Sequence, residues 1–156
     1  MSKNPIGLDA AKCAQLADNL NLLLANLQVF YINARSYHWN IKGEKFFELH
    51  LKFEELYNDL FLKIDEVAER VLTLGSTPSH TYTQYLKDST IQESGKITQG
   101  REAVEGVLAG YRNLLVIERQ LLELSAEAGD EGTNALMSDY IRQQEKMVWM
   151  YSAFLG

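Results

Sequence analysis

Two pairs of side chains able to bind metal stand out in this sequence. His50 and Glu54 are spaced i, i+4, and so are Asp65 and Glu69. In a helix each pair lies on one face. Both pairs share roughly that face, because Glu54 and Asp65 are 11 residues apart and three turns take about 11. That gap is about 16 Å along the axis, whereas metal–ligand bonds are only about 2 Å long. One ion therefore cannot be held by both pairs of one chain. The cross pairs, His50 with Glu69 and Glu54 with Asp65, share a single midpoint between residues 59 and 60. Two copies packed antiparallel about a two-fold axis there set His50 and Glu54 of one beside Glu69 and Asp65 of the other. An isologous interface does this twice. The spacing thus predicts two identical metal sites shared between subunits.

The elements that must position these donors are helices. Leu16, Leu20, Leu23, Leu24, Leu27, Phe30 and Tyr31 give the spacing of an amphipathic helix from a cap at Asp9 to a stop near Gly43. A second helix is predicted from Lys45 to Leu74, ended by Gly75-Ser76-Thr77-Pro78. Residues 76–95 read as a long connection with a short helix near Thr83–Lys87. A third helix is predicted over Thr98–Ala126 and a last over Thr133–Phe154. Gly106 and Gly110 weaken the third by about 1 kcal/mol each relative to Ala and point to a close helix crossing. The fold class is all-α: a four-helix bundle with one long crossover, over residues 9–156 after a short tail, 1–8.

A short connection makes the first two helices antiparallel and can bring His38 toward His50. The donor set is then two imidazoles and three carboxylates, which suits Fe(II), Mn(II) or Zn(II) and not a Cys-rich zinc site. Each residue alone has a plainer reading. His38 can be a satisfied histidine near a helix end, and carboxylates at i, i+4 are common on solvated faces. Trp39 fits packing near the metal or simple core. Cys13 sits in an apolar pattern and reads as packing, and His80 as a surface histidine. No Glu precedes a His by three positions, so the Glu-x-x-His pattern of bundle-core di-iron sites is missing.

Composition narrows the function classes. A net charge of −6 speaks against a nucleic-acid surface and fits attraction of cations. One cysteine forbids an internal disulfide and suits a reducing compartment. With no signal-peptide pattern in MSKNPIG and no long apolar run, the expectation is a cytoplasmic protein with no membrane partner.

The segments YHWNIKG, FFELH with FEELY, IDEVAERV and the GS-TP break, with EAGDEGTN and EKMVWMYSAFLG near the other end, resemble the Dps family of mini-ferritins across nearly the whole chain. The resemblance implies a ferritin-like four-helix bundle with a short extra helix, and a hollow shell of twelve subunits. It implies ferroxidase centres at the two-fold interfaces, with iron ligands at His38, His50 and Glu54 of one subunit and Asp65 and Glu69 of its partner, Trp39 lying near. It implies oxidation of Fe(II), preferentially by hydrogen peroxide, and Fe(III) mineral stored inside. Well-known members commonly carry Asp where this chain has Glu54, whose extra methylene moves the carboxylate by about 1.5 Å. Acidic pores at the three-fold axes are matched by Glu131, with Glu127 and Asp130 as further candidates; an ordinary helix-capping turn is the other reading of these three. Direct DNA binding, the family's other role, is disfavoured by the acidic charge and by a tail whose one basic residue is Lys3.

Overall fold

The structure, a computed structural model, describes residues 2–156. The helices are α1 (Ala10–Asn40), α2 (Phe46–Thr73), α3 (Tyr82–Asp88), α4 (Gly100–Glu127) and α5 (Glu131–Leu155). Among the described residues there is no strand, only an isolated bridge between Lys3 and Asp9. The fold is an all-α four-helix bundle with a short extra helix, α3, in the crossover.

The ends of the helices follow from their caps. The Asp9 carboxylate accepts hydrogen bonds from the backbone N–H groups of Ala11 and Lys12, which starts α1. α1 ends at Asn40, earlier than Gly43; the glycine, at φ +104, makes the turn that follows. Lys45 occupies the cap position of α2, and α4 starts at Gly100, after Thr98. α5 starts at Glu131, before Thr133, because Asp130 caps it by accepting from the Thr133 N–H. The segment before α1 is ordered by Asn4, whose Oδ1 accepts from the Ile6 and Leu8 N–H groups and whose Nδ2 donates to the Leu74 carbonyl.

α2 has two distinct faces. Leu49, Phe53, Leu56, Leu60, Val67 and Val71 are buried in the core at spacings of three and four or their sums. About half a turn away, Phe47, Leu51, Phe61, Leu62 and Leu72 are each more than half exposed. α1 and α4 cross closely where glycines remove side chains. A Cβ on Gly110 would lie 2.6 Å from the Phe30 ring, and one on Gly106 would strike the Tyr37 hydroxyl.

The crossover is tied to α1 by three asparagines. Asn21 Oδ1 accepts from Ser79 N–H and its Nδ2 donates to the Thr77 carbonyl. Asn26 Oδ1 accepts from the N–H groups of Thr90 and Ile91 and from the Ser89 and Thr90 hydroxyls. Asn33 accepts from Ser94 N–H and donates to the Gln92 carbonyl. A buried donor left without a partner costs about 1–3 kcal/mol, so this irregular segment depends on the three side chains.

Candidate metal centre

His38 stands in the last turns of α1 and His50 in the second turn of α2. The tight α1–α2 turn stacks their rings with centroids 3.8 Å apart and planes 13° from parallel. Their hydrogen bonds are reciprocal: His38 Nδ1 donates to the His50 carbonyl, and His50 Nδ1 donates to the His38 carbonyl, both at 2.7 Å. A carbonyl oxygen only accepts, so each Nδ1 carries a proton and Nε2 is the ring nitrogen left to face a metal. Fixing the tautomer through the far ring nitrogen is how metal-binding histidines are commonly oriented.

Glu54 Oε1 lies 3.8 Å from His38 Nε2. The structure thus brings His38, His50 and Glu54 together, as the short connection predicts. Phe46 stacks on His50 at 5.0 Å, and Tyr57 meets His38 edge-on at 5.3 Å. These aromatic walls limit where the imidazoles can swing. Trp39 is 58% exposed, so it is not core. Its ring holds the Arg35 guanidinium at 5.0 Å, and Tyr57 holds the same cation from another side at 5.0 Å. Arg35 and Tyr57 were not singled out by sequence spacing, because cation–aromatic packing between helices leaves no periodic signal.

Asp65 and Glu69 are exposed further along α2. Glu69 has its carboxyl held above the ordinary carboxylate value by the hydrogen bond its protonated form donates to Asp65, and by repulsion from that carboxylate. Two carboxylates so close favour either a shared proton or a cation. Among the described residues no group of three His, Cys, Asp or Glu side chains within the single chain is placed to hold a metal ion.

The acidic turn before α5 divides. Glu127 and Glu131 are exposed, but Asp130 is only 2% exposed. Its Oδ1 accepts from Arg70 Nη2 at 2.7 Å and its Oδ2 from the Thr133 hydroxyl at 2.5 Å. Arg70 Nε also donates to the Thr133 hydroxyl at 2.9 Å. The expectation that Asp130 lines a pore is corrected: its charge is spent on Arg70 and the α5 cap, as the capping reading of this turn allows. No helix is long and apolar enough to cross a membrane among the described residues.

Residues 17–156 match the ferritin-like domain family. A "DNA protection during starvation protein" of Porphyromonas gingivalis is 42% identical over 148 residues, spanning 95% of this chain and 93% of that protein. The chain belongs to the Dps family. The same relationship holds in three dimensions. A Vibrio cholerae O1 Dps crystal structure superposes with a TM-score of 0.98 at 56% identity, covering 100% of this chain and 98% of that one. It is described as a member of a broad superfamily of ferritin-like diiron-carboxylate proteins. A Bacillus brevis Dps structure gives 0.90 at 35% identity over 94% and 98% of the two chains. A Haemophilus influenzae protein of undescribed function is 55% identical over 153 residues, or 98% and 96% of the chains.

Proposed function

We propose that this Dps-family protein is a ferroxidase and iron store whose centre is shared across a two-fold axis of a twelve-subunit shell. The observation that carries this reading is the outer face of α2. Reflected about the midpoint between residues 59 and 60, His50 falls on Glu69 and Glu54 on Asp65. Two of the exposed apolar side chains fit the same reflection: Phe47, 80% exposed, falls on Leu72, 58% exposed, and Leu62, 63% exposed, falls on the half-buried Tyr57, while Leu51 and Phe61 fall on Ala68 and Asn58. Contiguous exposed apolar surface marks an interaction site. Donors and apolar contacts thus call for the same antiparallel partner.

In that pairing Nε2 of His38 and His50 and the Glu54 carboxylate face the partner's carboxylates, completing a mixed nitrogen and oxygen set for Fe(II). Carboxylates favour the harder, more highly charged Fe(III) product. Two Fe(II) ions give one electron each to hydrogen peroxide, whose O–O bond breaks to two hydroxide ions. No hydroxyl radical is released. Fe(III) then hydrolyses and mineralises inside the shell, and Glu127 and Glu131 stand as the exposed acids of the pore that admits iron. The same chemistry protects a cytoplasm from iron and peroxide together. DNA protection, named for the relatives, follows from this chemistry without direct DNA contact by a chain of net charge −6.

Two results are expected. Anaerobic Fe(II) titrated with peroxide is consumed at roughly two irons per peroxide, the electron balance of a paired oxidation. One iron per peroxide with detectable hydroxyl radical refutes the paired reaction. The second concerns pH. Because Glu69 titrates above the ordinary carboxylate value beside Asp65, a bound cation must displace its proton. Affinity for redox-inert Zn(II) therefore falls as pH drops through that raised value. Calorimetry in buffers of different ionisation enthalpy should show proton release on binding, and Glu69→Gln should reduce it. Equal release from both proteins contradicts the assignment of Glu69.

A further inference from the structure

Far from the α1–α2 turn, the bundle interior holds a carboxyl group that the ferroxidase reading does not use. Glu118 on α4 is 0% exposed and Gln144 on α5 is 1% exposed. Both carboxyl oxygens of Glu118, and both Oε1 and Nε2 of Gln144, lack a hydrogen-bond partner. Four such orphaned atoms in one apolar core are costly. The nearby cation does not serve them. The Lys63 ammonium, itself 3% exposed, donates to both Asp59 carboxylate oxygens at 2.8 and 2.7 Å and to Gln143 Oε1 at 3.1 Å. An ammonium has three N–H groups, so all three are committed.

We propose that Glu118 and Gln144 form a proton-holding acid–amide pair, with Glu118 a neutral carboxylic acid at neutral pH. In that state the acid O–H donates to Gln144 Oε1, and Gln144 Nε2–H donates to the other Glu118 oxygen. Small rotations of two adjacent side chains satisfy all four atoms together. An ionised carboxylate accepts only from Nε2 and leaves Gln144 Oε1 facing a buried anion. The charged groups packed around this carboxyl pull in both directions, and burial outweighs them. Lys63 and Asp59 from α2 offset one another, Arg119 on α4 is drawn outward to Glu145 at 2.8 Å, and Tyr111 on α4 and Tyr140 on α5 are phenols pushed upward by burial. Among the described residues no group of α1 or of the crossover shifts this carboxyl. Burial accordingly raises Glu118 to about 8, against the lowering pull of Gln144, Lys63 and Arg119.

The bundle is therefore proton-linked. The folded-state value is raised, so the stabilisation is complete below the unfolded carboxyl's value and is lost as pH rises toward about 8. Above that point the anion is held in the interior at a cost; the cavity of about 480 Å³ nearby is lined by Gln144 but not by Glu118.

The test is infrared spectroscopy of the assembled, metal-free protein in chelator, with and without ¹³C-glutamate, together with thermal melts from pH 5 to pH 9. Glu69→Gln serves as the background, so that the other raised glutamate is silent. The expected spectrum has a protonated glutamic-acid carbonyl band at pH 7 that moves with the label, disappears as pH passes about 8, and is missing after Glu118→Gln. The Glu118→Gln midpoint should rise relative to its parent by roughly 10 °C between pH 5 and pH 8 and then level off. A missing band at pH 7, or a midpoint difference independent of pH, overturns the proposal. If Glu118→Gln fails to assemble, the labelled and unlabelled parent spectra alone decide it.

Discussion

His50→Ala should lower peroxide-dependent Fe(II) oxidation by at least about 100-fold while the shell still assembles. Loss of an outer partner of a ligand already costs about 10–100-fold in metal affinity or activity, and here the proposed ligand itself goes. Its ring is also half of the reciprocal pair in which each Nδ1 donates to the other histidine's carbonyl. Removing it leaves the His50 carbonyl still accepting from His38, so the effect should fall on chemistry more than on folding. Stopped-flow oxidation and light scattering on the same preparation separate the two. A variant of native size that oxidises Fe(II) at the wild-type rate rules out His50 as a ligand.

Arg70→Ala should destabilise the subunit by about 3–5 kcal/mol, the usual cost of removing one partner of a buried ion pair. Asp130, with its side chain 1% exposed, would be left with a buried charge facing the space the guanidinium filled. The same guanidinium packs against Gly132, where a Cβ would lie 2.6 Å from it, and bonds Thr133. α2 would thus lose its hold on the start of α5. A drop in thermal midpoint of roughly 10 °C is expected at neutral pH. Combining it with Asp130→Ala should cost less than the two single losses together, because the two residues share one interaction. Strict additivity in calorimetry contradicts this account of the α5 start.

The reach of the sequence differs from residue to residue. The two pairs on α2 were legible because each sits at helical spacing, and their chain numbers are what prompt the proposed two-fold axis. His38 could be placed beside His50 because a short turn leaves little choice of geometry. Asp130 was misplaced because a capping aspartate and a pore aspartate look alike in sequence; only Arg70, 60 positions away, tells them apart. The crossover's dependence on Asn21, Asn26 and Asn33 was invisible for the same reason, since side chain to backbone bonds over long separations have no period. No spacing or motif marks Glu118 and Gln144, which only the packing of α4 on α5 buries. In each case the missing information is which distant group satisfies a polar atom.

The central claim, a centre made by two chains, is tested most directly by mixing subunits. His50→Ala and Asp65→Ala chains are each inactive alone if both residues are ligands. Unfolded together in equal amounts and refolded, half of the two-fold dimers contain one of each. One of the two sites in such a dimer takes His50 and Asp65 from the intact positions of opposite chains, so about a quarter of all sites are restored. Recovery to about a quarter of wild-type Fe(II) oxidation, with mixed assembly shown by mass spectrometry, is the predicted result. No recovery in shells proven to be mixed contradicts it.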